Sequence, residues 1–227
     1  MPLDLNNWIL AAYHAFNRSL GFMLWNTFLA LIPWVLSLWL FRRREVATSG
    51  NSTASSAPSL IWWMGLAAFV AFLPNAPYVL TDVIHLVKFI QQGAALWTIV
   101  FVLIPQYFVF MFIGVEAYVL SLLNLGKYLR QQGKQHWITG AELTLHALCA
   151  LGIYLGRVPR FNSWDLLTHP GQIVSFVTRD LWQPQALAFI VTTFGVILVV
   201  YWALKHLSLA MKLYLKALSH QQSVDAL

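Results

Sequence analysis

Charge is scarce in this chain: Asp, Glu, Lys and Arg together make up 10% of its 227 residues, against roughly 25% in soluble domains. A soluble globular domain is excluded on that ground. Cysteine is nearly missing. Cys149 stands alone inside an apolar run, which leaves no disulfide framework and no thiolate metal site. Lys and Arg are absent from the first 17 residues, unlike the charged start of a cleaved signal peptide. The chain also lacks a nucleophile elbow, a Walker loop, His-Glu-x-x-His and Cys-x-x-Cys, so no catalytic residue, metal or cofactor is assigned. Zinc-finger, helix-turn-helix and RNA-binding patterns are missing too. The net charge of +6 lies beside apolar spans rather than on a polar domain, and nucleic acid is excluded as a partner.

What is present is apolar. Hydrophobic residues make up 59% of the chain and mean hydropathy is +0.65. Together they predict an all-α polytopic transmembrane bundle of about five spans, each roughly 20 residues long, with membrane lipid as the surrounding partner. Leu5, Trp8, Ile9, Ala12 and Phe16 recur at helical spacing, so residues 1–19 are expected to form an interfacial helix. Spans follow at 20–41, 60–73, 95–123, 138–155 and 185–204, within a single domain. The third is longer than a ~30 Å hydrocarbon core requires, so tilt or a kink at Pro105 is expected. Nine of the fourteen Lys and Arg residues (Arg42, Arg43, Arg44, Lys127, Arg130, Lys134, Lys205, Lys212, Lys216) fall on one side of such a bundle. The positive-inside rule makes that side cytoplasmic. The chain is therefore expected in the inner (plasma) membrane with its N-terminus outside and its C-terminus in the cytoplasm.

Residues 74–92 form the chemically specific stretch. Pro74 and Pro77 cannot both sit in an undisturbed helix, so the span should break and restart, with Asn75 as the cap and Pro77 in the first turn. Tyr78, Asp82 and His85 follow at i, i+4 and i+7, on one face. An Asp-His pair at i, i+3 is compatible with metal ligation in a helical bundle, but one pair without a second is a weak signal, and no metal is assigned. The expected outer loop, 156–184, opens with Gly156-Arg-Val-Pro-Arg-Phe-Asn-Ser-Trp-Asp165. Arg157 and Arg160 in it suit either Asp82 or a phosphate or carboxylate. Asn162 or Ser163 is a candidate cap for a short helix through Trp164 and Asp165, and an amphipathic helix with Ile173 and Phe176 should follow. Asn75, Tyr78, Asp82, His85, Arg157, Arg160, Asn162, Trp164 and Asp165 are thus the ligand-binding candidates. Deeper in the membrane, Glu116, Glu142 and His146 are costly and should face the interior. They read either as a polar lock between helices or as a proton or ion relay continuing inward from Asp82 and His85.

The residues Pro74-Asn-Ala-Pro-Tyr with Thr81-Asp82 and His85-Leu86, together with Gly152-Ile-Tyr-Leu-Gly-Arg157 and Arg160-Phe-Asn-Ser-Trp-Asp165, resemble the bacterial membrane family called domain of unknown function 1361. The resemblance covers most of the chain and implies a multi-pass architecture without a catalytic assignment. Met1 to Ser59 carries no such motif. The expected function is non-enzymatic binding of a small anionic or lipidic ligand at the non-cytoplasmic face, in a transport-related role. Two alternatives stand beside it. One is an intramembrane enzyme acting on a lipid or lipid-linked phosphate, with Asp82 or His85 as general base and the two arginines on the phosphate. The other is an assembly factor for a membrane complex.

Overall fold

The computed structural model describes residues 5–42 and 59–225. Among them the chain is an all-α bundle with five helical runs long and apolar enough to cross a membrane. Helix α1 spans Leu5–Ser37 and ends in a π-helical turn, Leu38–Arg42. The expected interfacial helix and first span are therefore one continuous helix. Nothing between Asn17 and Leu20 breaks it: the stretch holds neither Pro nor Gly. Helix α2 (Leu60–Phe72) begins where Ser59 Oγ accepts the Trp62 amide at 3.3 Å. After a turn come α3 (Asn75–Tyr78), a 3-10 turn over Val79–Asp82, and α4 (Val83–Gln91).

Contacts along α1 show that this broken run crosses the bundle as a unit. Trp39 lies against Gly65, Leu40 O accepts from Trp62 Nε1 at 3.3 Å, and Asn26 donates to Asp82. Phe22 packs on His85 and Arg18 on Phe89. The partners fall in number on one helix as they rise on the other, so the whole of Leu60–Gln91 runs antiparallel to α1. The second span thus does not end at residue 73. Its break lies inside the bundle, where irregular backbone is tolerated because protein surrounds it.

Gly93, at φ 78°, closes this run. A short helix, Leu96–Thr98, then passes through a π turn, Ile99–Leu103, into α5 (Ile104–Gln131). Pro105 sits in the first turn of α5, and the π turn just before it accommodates the missing amide proton. Gln106 reaches Phe16 O at 3.1 Å and Asn124 reaches Ser37 Oγ at 2.9 Å, so α5 lies parallel to α1, as the first and third of alternating spans must. Helix α6 (Ile138–Arg157) is antiparallel to α5: Gly126 faces Ile138, and Tyr118 meets His146. Two short helices, α7 (Asp165–Thr168) and α8 (Pro170–Asp180), occupy the loop. Helix α9 (Pro184–Asp225) runs well past the expected end at residue 204. Leu103, Tyr107 and Val79 are wholly buried in the core around the broken run and α5, and Tyr118 is wholly buried where α5 meets α6 and α9.

Candidate functional site

The break is wedged between helices by glycines. A Cβ on Gly114 of α5 would lie 2.6 Å from Val79 Cγ2 and 3.0 Å from Ala76 O, and one on Gly152 of α6 would lie 2.7 Å from the Pro74 ring. Only glycine lets these backbones come so close. Ala76 and Val79 are fully buried as a result. Asn75 does not cap α3. It is the helix's first residue, and its side-chain amide donates to Phe72 O at 2.9 Å, a carbonyl left over by the end of α2, and to Ser163 Oγ at 3.0 Å. Ser163 is thereby tied to the break instead of capping α7, and Asn162 does not cap it either. Asp165 accepts the Asn162 backbone amide at 2.6 Å and lies 3.8 Å from His169. Asp165 therefore holds the loop's own shape and lies outside the cavity described below.

Asp82 is 1% exposed and both of its oxygens are engaged. Oδ1 accepts from Arg157 at 2.8 Å and Oδ2 from the Asn26 amide at 2.7 Å, while His85 Nε2 stands 3.9 Å away. The Arg157 guanidinium also donates to Thr81 Oγ1 and lies 4.5 Å from the centroid of the Tyr78 ring. Thr81 in turn donates to Tyr78 O at 2.7 Å. One ion pair, its carboxylate buried and its guanidinium half-buried, thus joins the break to the end of α6, with Asn26 of α1 on the same carboxylate. The step of eight residues from Arg18 to Asn26 corresponds to ~12 Å of helix, which places the pair well inside the span that starts at Ile9.

Above and beside the pair lies a cavity of about 860 Å³, within the ~300–1,000 Å³ typical of ligand sites. Asn75, Tyr78, His85 and Arg157 line it, joined by Arg160, Asn162 and Trp164 from the loop. Among the described residues, the head groups of Arg160 and Lys88 make no hydrogen bond or ion pair, and both residues are exposed. Arg160 sits at φ 63°, the one non-glycine with positive φ among the described residues. That conformation costs about 1 kcal/mol or more. The opposite end of the cavity is apolar, lined by Trp25 and Leu29 of α1, Val70 of α2, and Leu148 and Leu151 of α6.

The three deeper candidates do not join this site. Glu142 accepts from Tyr201 and Lys205, each at 2.6 Å, Glu116 accepts from Ser208 at 2.6 Å, and His146 Nδ1 meets Tyr118 Oη at 2.6 Å. Each is bound to a neighbouring helix, two of them to α9 beyond residue 204. No run of hydrogen bonds or ion pairs among the described residues leads from them to Asp82 or His85, and each ties one helix to another. Among the described residues no three His, Cys, Asp or Glu side chains group closely enough to hold a metal ion. Sequence reasoning passed over Asn26, although an amide inside an apolar span is a signal. Thr81, quoted in the motif, and Ser163, expected as a cap, were not among the site candidates, since hydroxyls are common at turns and span ends.

Fold and site together define a polytopic helical membrane protein with an ion pair on a buried carboxylate and a half-polar, half-apolar cavity. The chain belongs to the family described as protein of unknown function (DUF1361), which matches residues 25–200. The match starts inside α1 and so takes in part of the N-terminal stretch in which the quoted motifs have no counterpart. No curated protein and no solved structure matches the chain.

Proposed function

We propose that the protein is a non-enzymatic, transport-related binder of an anionic ligand, which it takes in the cavity between the broken second span, α6 and the loop. The observation that carries this is the division of labour between the arginines. Arg157 is committed to Asp82 and Thr81, while Arg160 reaches the same cavity with its guanidinium unpaired, on a strained backbone. Strain of this kind persists where the surroundings enforce it and gathers at binding sites. A planar guanidinium without a protein partner suits phosphate or carboxylate. A general base needs a free lone pair at the substrate, and Asp82 has neither free oxygen nor exposure, which favours binding over catalysis at that residue. By the asymmetry of Lys and Arg, the cavity opens on the non-cytoplasmic side of a bacterial inner membrane, with the C-terminus in the cytoplasm. Mass spectrometry of the protein purified in a neutral detergent tests the reading. A recurrent anionic molecule retained by the wild type and depleted in Arg160→Gln is expected. Identical anion content in the two proteins would overturn it.

A further inference from the structure

The cavity's chemistry changes along its length, and the change identifies the class of ligand. Lys88 and Arg160 stand at one end with Asn162 and Trp164. From Arg157 down to Leu148 the α6 wall runs nine residues, or ~13 Å, and the residues it contributes below Arg157 are Gly156, Leu155, Gly152, Leu151 and Leu148. Trp25 and Leu29 of α1 and Val70 of α2 face them across the cleft. Ile84, Trp25 and Leu148 line this cleft and are also exposed on the bundle's surface, at 45%, 54% and 42%. In helices apolar enough to cross a membrane, such exposed apolar side chains face lipid. The cleft is therefore open sideways to the bilayer as well as toward the loop. A soluble anion needs only the charged end; a cleft some 13 Å deep with leucine walls suits a hydrocarbon chain.

We propose that the cavity takes a phosphate-bearing membrane lipid sideways from the bilayer, its phosphate held by Arg160 and Lys88 and a chain lying in the cleft between α1, α2 and α6. This rests on the anion-binding reading above and narrows it. Neither cation has a protein partner to lose among the described residues, so both can turn to the ligand without disturbing the fold. Arg157, already paired, positions the floor of the site by fixing Asp82 and Tyr78.

The test is a thermal-unfolding titration of the full chain in neutral detergent micelles with phosphatidic acid, phosphatidylcholine or inorganic phosphate. A ligand that binds only the folded protein raises the midpoint with concentration. Phosphatidic acid should stabilise the wild type at concentrations where inorganic phosphate does not, with phosphatidylcholine, whose phosphate is shielded by choline, weaker than phosphatidic acid. Arg160→Gln with Lys88→Gln should lower the apparent affinity about 10-fold or more, as expected for lost charge-assisted bonds. Leu148→Trp, which fills the exposed cleft, should abolish the lipid response while leaving the unliganded midpoint near wild type. Equal stabilisation by inorganic phosphate and phosphatidic acid, unaffected by Leu148→Trp, would overturn the lipid inference and leave the anion site standing. A response to phosphatidic acid that survives loss of both cations would overturn both readings, and no response to any of the three would overturn the phosphate-bearing lipid while leaving a carboxylate as the anion.

Discussion

At the scale of single residues, the site turns on how one carboxylate is satisfied. An ionised carboxylate taken out of water is costly, and the cost is offset only by close partners of opposite charge and by hydrogen bonds on the remaining lone pairs. Asp82 has Arg157 on one oxygen and Asn26 on the other. Removing one partner leaves the other charge stranded, so Asp82→Asn and Arg157→Gln should each destabilise the detergent-solubilised protein by about 3 kcal/mol. The double variant should lose markedly less than the sum, with a coupling of about 1–3 kcal/mol. Arg160→Gln should shift stability by no more than about 0.5 kcal/mol, because its guanidinium has no partner among the described residues. The cycle is read from thermal or denaturant unfolding, and additive single effects would mean that the pair contributes nothing as a pair. The same contrast separates two arginines three residues apart in sequence: one builds the site and the other is available to fill it.

At the scale of elements, the broken second span is held by shape as much as by charge. Pro77 lacks the amide proton that would reach Leu73 O, and that carbonyl takes the Ala76 amide instead, at 3.2 Å. Phe72 O, which Ala76 would otherwise serve, takes the Asn75 side chain. The resulting tight turn fits against α5 and α6 only because glycine faces it on both. Gly114→Ala would press a methyl group against Val79 and the Ala76 carbonyl. It should cost about 1–3 kcal/mol by overpacking. Gly195→Ala in α9, where an added Cβ meets nothing within 4 Å, should be neutral or stabilising by up to about 1 kcal/mol. Similar unfolding midpoints for the two variants would show that the break can move aside and that Gly114 does not seat it.

At the scale of the whole molecule, the bundle falls into two packed groups joined by α5. Helix α1 packs with the broken run and α5. Helix α6 packs with α9 through Glu142 with Lys205 and through Tyr154 against Phe189, at a centroid distance of 5.7 Å. The cavity lies between α1 and α2 on one side and α6 on the other. Five crossings put the loop carrying Arg160 on the face opposite the α5–α6 connection. Single cysteines at Gln132 and Thr168, in a Cys149→Ala background, test this in intact cells with an impermeant thiol reagent. Thr168 should label and Gln132 should not. Labelling of both, or of Gln132 alone, would contradict the proposed orientation.

Composition and periodicity by themselves determined the all-α class and the number of crossings, because scarce charge and long apolar runs admit no other way to satisfy backbone polar groups in lipid. They also determined that Pro74 and Pro77 break a span, since a missing amide proton acts locally. Helix ends were less legible. The boundary expected near residue 19 and the end expected at 204 have no counterpart, as apolar content marks where a helix can lie in lipid but not where a helix that leaves the lipid stops. Tertiary structure alone decided that the break is inside the bundle and not on its surface, because depth depends on the partners Asn26, Gly114 and Gly152, each distant in sequence. It also decided which arginine pairs with Asp82. Arg157 and Arg160 carry the same charge and stand three residues apart. Arg157 ends α6 at the level of Thr81 and Asp82, whereas Arg160, after a left-handed turn, is carried past them to the mouth of the cavity.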